Sequence, residues 1–242
     1  MTSPRKGRSL AKHRLFRSTD PGSVASANSV AVIGLGRFGQ SLALELMDNG
    51  TEVLGIDSRE HVVQSLNGKL THVVAADATD EQVLRQLSIP EFDRVVVAIG
   101  NDIQSSILVT SLLLRFSIAH IWAKAVSDPH GLILEQLGVQ HVVYPEKDMG
   151  RRLAHIVRDS IQDFIEIDTD FAMVKTEVNP HYAGMRLGDS NIRRKHGVTV
   201  SAVKHQGGVW QAAAADTVLQ AGDIILVTGP TRQAERFSRP SA

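Results

Sequence analysis

Gly34, Gly36 and Gly39 stand at G-x-G-x-x-G spacing between an unbroken apolar run over 30–33 and the helical pattern Leu42, Leu44, Leu46, Met47. Phosphate binding needs that order. The first glycine allows a tight turn, the second lets backbone approach a pyrophosphate, and the third lets helix pack closely on strand. The N-terminus of the helix then faces the phosphates with N–H groups and a partial positive charge. Arg37 lies inside the turn, where a guanidinium can grip a terminal phosphate through two bonds or simply extend into solvent. Asp57 follows Gly39 by 18 positions, near the roughly 20 at which an acid accepts bonds from an adenosine ribose. Its charge repels a 2′-phosphate, which disfavours NADP.

Other polar residues follow other apolar runs, and in an open parallel sheet ligands bind beyond the carboxyl ends of strands. Asp77, Ala78 and Thr79 follow the third run, Ile99, Gly100 and Asn101 close the fourth, Lys124 ends the fifth, and Glu146 follows the sixth. Asp77 can bond adenine or ribose, or cap a helix. Asn101 and Asp102 fit a cap better than a ligand contact. Lys124 ends a buried run, where an ammonium calls for a phosphate or an acid. Glu146 can favour a helix N-terminus through the dipole or offer an oxygen to Mg²⁺ or Ca²⁺, although one carboxylate cannot make a tight site alone. With Gly34, Gly36, Arg37, Phe38, Gly39 and Asp57, these residues form the candidate cofactor site. The ten histidines have no metal-ligand spacing, and no pattern of acid, base and nucleophile points to catalysis.

Strands alternating with helices must position these residues. Apolar runs over 52–57, 72–76, 94–99, 120–123 and 141–144 are separated by helical patterns, which predicts a doubly wound α/β parallel sheet of the Rossmann type. Ser58 is placed to cap the second helix, and Thr79 or Asp80 the third. Beyond Phe164 the rhythm turns to short β-like runs, so a second, smaller α+β domain is expected. The expected divisions are a basic leader over 1–28, a nucleotide-binding domain over 29–148, a crossover helix over 149–163 and a regulatory domain over 164–242.

Lysine plus arginine and aspartate plus glutamate number 26 each, so charge makes no global case for nucleic acid or membrane binding. The leader alone is biased, with Arg5, Lys6, Arg8, Lys12, His13, Arg14 and Arg17 and no acid between them. It lacks the apolar core of a signal peptide, and contact with anionic lipid or a membrane partner is the hypothesis for it. The absence of cysteine excludes disulfides and thiolate chemistry and suits a cytoplasmic setting. Apolar stretches fall short of the roughly 18 residues a membrane span needs, so any membrane role runs through a partner.

Several words of the sequence are more specific than the glycine motif. They are residues 31–39, 97–100 (Val-Ala-Ile-Gly), 102–104 (Asp-Ile-Gln), 121–125 (Ile-Trp-Ala-Lys-Ala) and above all 145–150 (Pro-Glu-Lys-Asp-Met-Gly). On these the chain resembles the RCK (regulator of conductance of K⁺) subunits of Ktr and Trk potassium transporters, the KtrA type most closely. Residues 191–193 and 197–204 resemble the family's C-terminal module.

The resemblance implies a non-catalytic, cytoplasmic regulatory subunit, peripheral at the inner face of the membrane. It implies an octameric ring built from dimers, docked on a membrane potassium channel subunit of the KtrB or TrkH kind. ATP and ADP would compete for the switch point and change the shape of the ring. Arg37 would contact the γ-phosphate, from its own or a neighbouring subunit, Asp57 the ribose and Lys124 the phosphates. Glu146 matches a glutamate associated with Mg²⁺ or Ca²⁺ at a subunit interface. Asn191, Arg193 and Val200 lie near the segment where some relatives bind cyclic di-AMP. The alternatives are an NAD(H)-responsive Trk-type regulator and, less favoured, an NAD-dependent oxidoreductase.

Overall fold

The computed structural model describes residues 28–158 and 161–239. They form two compact units that divide between Tyr144 and Pro145. The basic leader, apart from Asn28, lies outside the described residues.

The first unit alternates β1 (Ser29–Ile33), α1 (Arg37–Asp48), β2 (Glu52–Asp57), α2 (Glu60–Leu66), β3 (His72–Ala75), α3 (Glu81–Gln86), β4 (Arg94–Val97), α4 (Ile103–Arg115), β5 (His120–Lys124), α5 (Asp128–Leu137) and β6 (His141–Val143). All strand pairs are parallel, in the order β3-β2-β1-β4-β5-β6. The strand order reverses beside β1, so a crevice opens between the carboxyl ends of β1 and β4.

Alternate residues of the central strands enter opposite cores. Ala31, Ile33, Val95 and Val97 join Val109, Leu113 and Leu134 on one face, while Val30, Val32 and Val96 join Ala43, Val62 and Leu66 on the other. Burial on both faces is why these strands read as continuous apolar runs without alternation.

The second unit comprises α6 (Pro145–Arg158), β7 (Asp163–Asp168), β8 (Phe171–Glu177), α7 (Ile192–His196), β9 (Thr199–Lys204), β10 (Trp210–Ala212), β11 (Ile224–Pro230) and α8 (Thr231–Ser238). Its strands are antiparallel in the order β10-β9-β11-β8-β7. Burial alternates along β8 and β11, as for a sheet covered on one face, and Ala234 and Phe237 of α8 share the core of Phe164, Val174, Val203 and Val227. Residues 145–148, assigned from sequence to the first domain, form the first turn of α6 and group with this unit.

Ser58 does not cap α2. Arg59 holds the N-cap position in extended conformation, and its N–H donates to Asp57 at 2.9 Å. Asp80 rather than Thr79 caps α3, accepting from the N–H of Gln82.

Candidate functional site

The glycine turn joins β1 to α1 at the crevice. Gly34 has φ +94°, and a Cβ there would lie 2.9 Å from the backbone nitrogen of Ile99, so glycine meets both a conformational and a packing demand. At Gly39 a Cβ would lie 1.9 Å from the carbonyl oxygen of Gly34. Gly36 is the N-cap of α1 and contributes no side-chain cap, and a Cβ on it would meet nothing within 4 Å. The turn is therefore tight where it faces protein and open at its middle glycine. The first N–H groups of a helix have no partner within it, which suits an anion at that opening.

Asp57, at the end of β2, is tied to this turn. Its Oδ2 accepts the N–H of Leu35, the residue between Gly34 and Gly36, at 2.7 Å. The residue is only 7% exposed. Burial by itself pushes the carboxyl pKa up, but bonds from the Arg59 side chain and from the Arg59 and Leu35 N–H groups outweigh it and hold the value below the usual carboxylate range. Asp57 thus stays a carboxylate at neutral pH. Gln40 steadies the turn by donating its amide to the Leu35 carbonyl at 2.8 Å.

Across the crevice, Lys124 at the end of β5 is 8% exposed and carries its Nζ 5.7 Å from the centre of the Phe38 ring. A Cβ on Gly100 would come within 3.2 Å of that nitrogen, so the glycine after β4 makes room for the lysine. Phe38, Gly100 and Lys124, expected from three separate stretches, are thereby brought together. Ile99 packs against Gly34. Arg37 is the first residue of α1 and is exposed.

Asp77 is exposed beyond β3 and accepts both the hydroxyl of Thr79 at 2.7 Å and its N–H at 2.9 Å, bonds that lower its pKa. It forms a local turn, with Ala78 buried behind it. Asp102 caps α4, accepting from the N–H of Ser105 at 3.1 Å, and Asn101 precedes it in an exposed position.

Glu146 belongs to the second unit and lies exposed in the first turn of α6. The described residues hold no group of three or more His, Asp or Glu side chains placed to bind a metal ion, around Glu146 or elsewhere. Asn191 is the left-handed N-cap of α7, Arg193 donates to the Thr199 hydroxyl at 3.2 Å, and Val200 is buried in the core of the second unit.

Sequence reasoning missed Arg59. Its guanidinium grips Asp57 through Nε at 2.9 Å and Nη2 at 3.0 Å. The available signal was its position two residues after the strand-end acid, within reach of that carboxylate.

The matching family models are the TrkA-N domain over residues 30–145 and the TrkA-C domain over residues 171–241. The Ktr system potassium uptake protein C of Bacillus subtilis (strain 168) is 39% identical over 86% of this chain and 95% of its own length. The chain belongs to the TrkA/RCK family of Ktr-type potassium-uptake subunits. Ktr system potassium uptake protein A of the same organism is 36% identical over 86% of this chain and 94% of its own. Among solved structures, "GsuK channel bound to NAD" superimposes with a TM-score of 0.63 at 18% identity, covering 90% of this chain and 40% of that one. That likeness is one of fold, and this chain spans about two fifths of the channel. As an RCK-type regulatory subunit of a potassium transport system, the protein is not an enzyme. No described helix is long and apolar enough to cross a membrane.

Proposed function

We propose that the subunit senses an adenine nucleotide in the crevice of its first unit and passes the result to a membrane potassium channel of the KtrB or TrkH kind. One observation carries this reading. The buried Asp57 carboxylate accepts the N–H of Leu35 from inside the glycine turn. A ribose acceptor and a phosphate cradle are thus held as one piece at the reversal of strand order, and ribose and pyrophosphate can be engaged together. The ligand acts by binding one conformation of the assembly more tightly than another, since equal affinities shift nothing. The subunit works at the cytoplasmic face of the membrane, in an octameric ring built from dimers.

The nucleotide is read in one of two ways. An NAD(H)-responsive regulator of the Trk type has the better support, because a channel of the same fold was solved with NAD bound and ribose plus pyrophosphate needs no terminal phosphate. A sensor of ATP against ADP draws on Arg37, exposed at the first position of α1, which would read a third phosphate. A divalent ion at Glu146 and cyclic di-AMP near Asn191, Arg193 and Val200 would be added regulation shared between subunits.

Titrating the purified full-length protein with ATP, ADP and NADH by calorimetry, while following mass by light scattering, tests the proposal. Saturable binding that Asp57→Ala abolishes supports it. NADH binding that Arg37→Ala leaves unchanged selects the first reading, and an ATP preference over ADP that Arg37→Ala removes selects the second. No binding of any of the three overturns the proposal.

A further inference from the structure

The Asp57 carboxylate is already fully engaged. A carboxylate offers about four acceptor positions. Two are taken by fixed backbone donors, Leu35 N–H on Oδ2 at 2.7 Å and Arg59 N–H on Oδ1 at 2.9 Å. The Arg59 side chain takes the other two, with Nε on Oδ1 at 2.9 Å and Nη2 on Oδ2 at 3.0 Å. A ribose diol that donates two O–H bonds to such an acid competes with donors already in place.

We propose that Arg59 is the gate of the adenosine-ribose pocket, a specificity-determining residue whose guanidinium competes with a 2′,3′-diol for Asp57 and swings aside when the diol binds. The inference rests on the reading of Asp57 as the ribose acceptor.

The two partners are unequally held. The Asp57 side chain is 6% exposed and pinned by two backbone bonds, whereas the Arg59 side chain is 48% exposed. When the fork opens it is the arginine that moves, into solvent. Its backbone N–H need not move with it, so the carboxylate keeps both fixed donors and its orientation. Half-exposed ion pairs are weak, so the gate lowers apparent affinity by the fraction of time it is closed and does not prevent binding. A ligand lacking the diol has no use for the vacated acceptors and does not open the fork.

Full-length wild type, Arg59→Ala and Arg59→Lys are titrated by calorimetry with ADP, NADH and 2′,3′-dideoxy-ADP, after thermal melting confirms that each is folded. Arg59→Ala keeps the backbone donor and removes only the side chain. Its expected affinity for ADP and NADH is about two- to fivefold above wild type, with Arg59→Lys in between, because lysine keeps the charge without the two-pronged bond. Dideoxy-ADP is expected to show no such gain. The direction is diagnostic, since loss of a positive charge alone would weaken the binding of an anion. Equal or weaker ADP and NADH binding by Arg59→Ala, or an equal gain with dideoxy-ADP, overturns the gate while leaving the nucleotide reading intact. Failure of every variant to bind ADP or NADH overturns the ribose reading, and the gate with it.

Discussion

Asp57 couples the chemistry of the site to the stability of the fold, and the coupling has a sign. Its folded pKa is lowered, so the ionised carboxylate contributes stability that is present above the unfolded value of about 3.9 and is lost as pH falls through the lower folded value. Half exposure of Arg59 limits the size of that contribution. Asp57→Asn is expected to cost about 1–3 kcal/mol near neutral pH, because an amide nitrogen must face donors of Arg59 or Leu35. It should also flatten the fall of stability with acid below pH ~4, measured by urea denaturation across a pH series; an unchanged slope would remove Asp57 from the account. The glycines give a paired prediction. Gly39→Ala drives a methyl into the Gly34 carbonyl and is expected to destabilise by at least about 1–3 kcal/mol. Gly36→Ala points into open space and should cost at most about 1 kcal/mol as a poorer N-cap, yet weaken nucleotide binding where phosphate must approach. Melting curves beside titrations separate the two, and Gly36→Ala binding as wild type does would take the ligand away from the turn. The tie between the turn and Asp57 was legible because the fold sets a spacing between glycines and strand-end acid. Arg59 was not, because an arginine near a helix start reads as solvated until the geometry shows both its prongs on one carboxylate.

Among the helices, the start signals carry most of what local sequence can say. Asp102, Ser127 and Asp80 each accept an N–H from the first turn of α4, α5 and α3, as small oxygen-bearing residues ahead of a helical pattern should. Asp102→Ala is expected to cost about 1 kcal/mol, read as a lower urea midpoint with unchanged slope; no change would mean that another group takes over the Ser105 N–H. The start of α2 was misread: Ser58 is a good cap by type, but Arg59 is the N-cap and makes no side-chain cap bond. The strands were legible in kind through their periods, continuous where two layers of helices cover the first sheet and alternating in the second. Strand order is a tertiary property; the rule that alternating strands and helices wind a parallel sheet predicted the kind of sheet, and the order came from the structure.

For the molecule as a whole, the apolar surface left uncovered argues for assembly. Helix α6 has no fully buried residue, although Ile156 packs against the core of the second unit. Met149, Leu153 and Val157 recur at four-residue spacing, which puts them on one face. They are 50%, 49% and 83% exposed. Ile165 and Ile167 of β7, the strand nearest α6 in sequence, are exposed as well. A soluble monomer rarely leaves such a stripe open to water, and the family implies a multimer built from copies of this chain. The expected cover is a second copy on α6, since two such helices can bury identical faces against each other about a two-fold axis. Leu153→Asp would place a charge at the centre of that contact and none in a core, so melting of the individual units should change little. The mass of the full-length protein by light scattering should fall by at least a factor of about two, as a two-fold contact is lost. Should the mass hold while Leu153→Asp is folded, the stripe is not the contact on which the assembly depends.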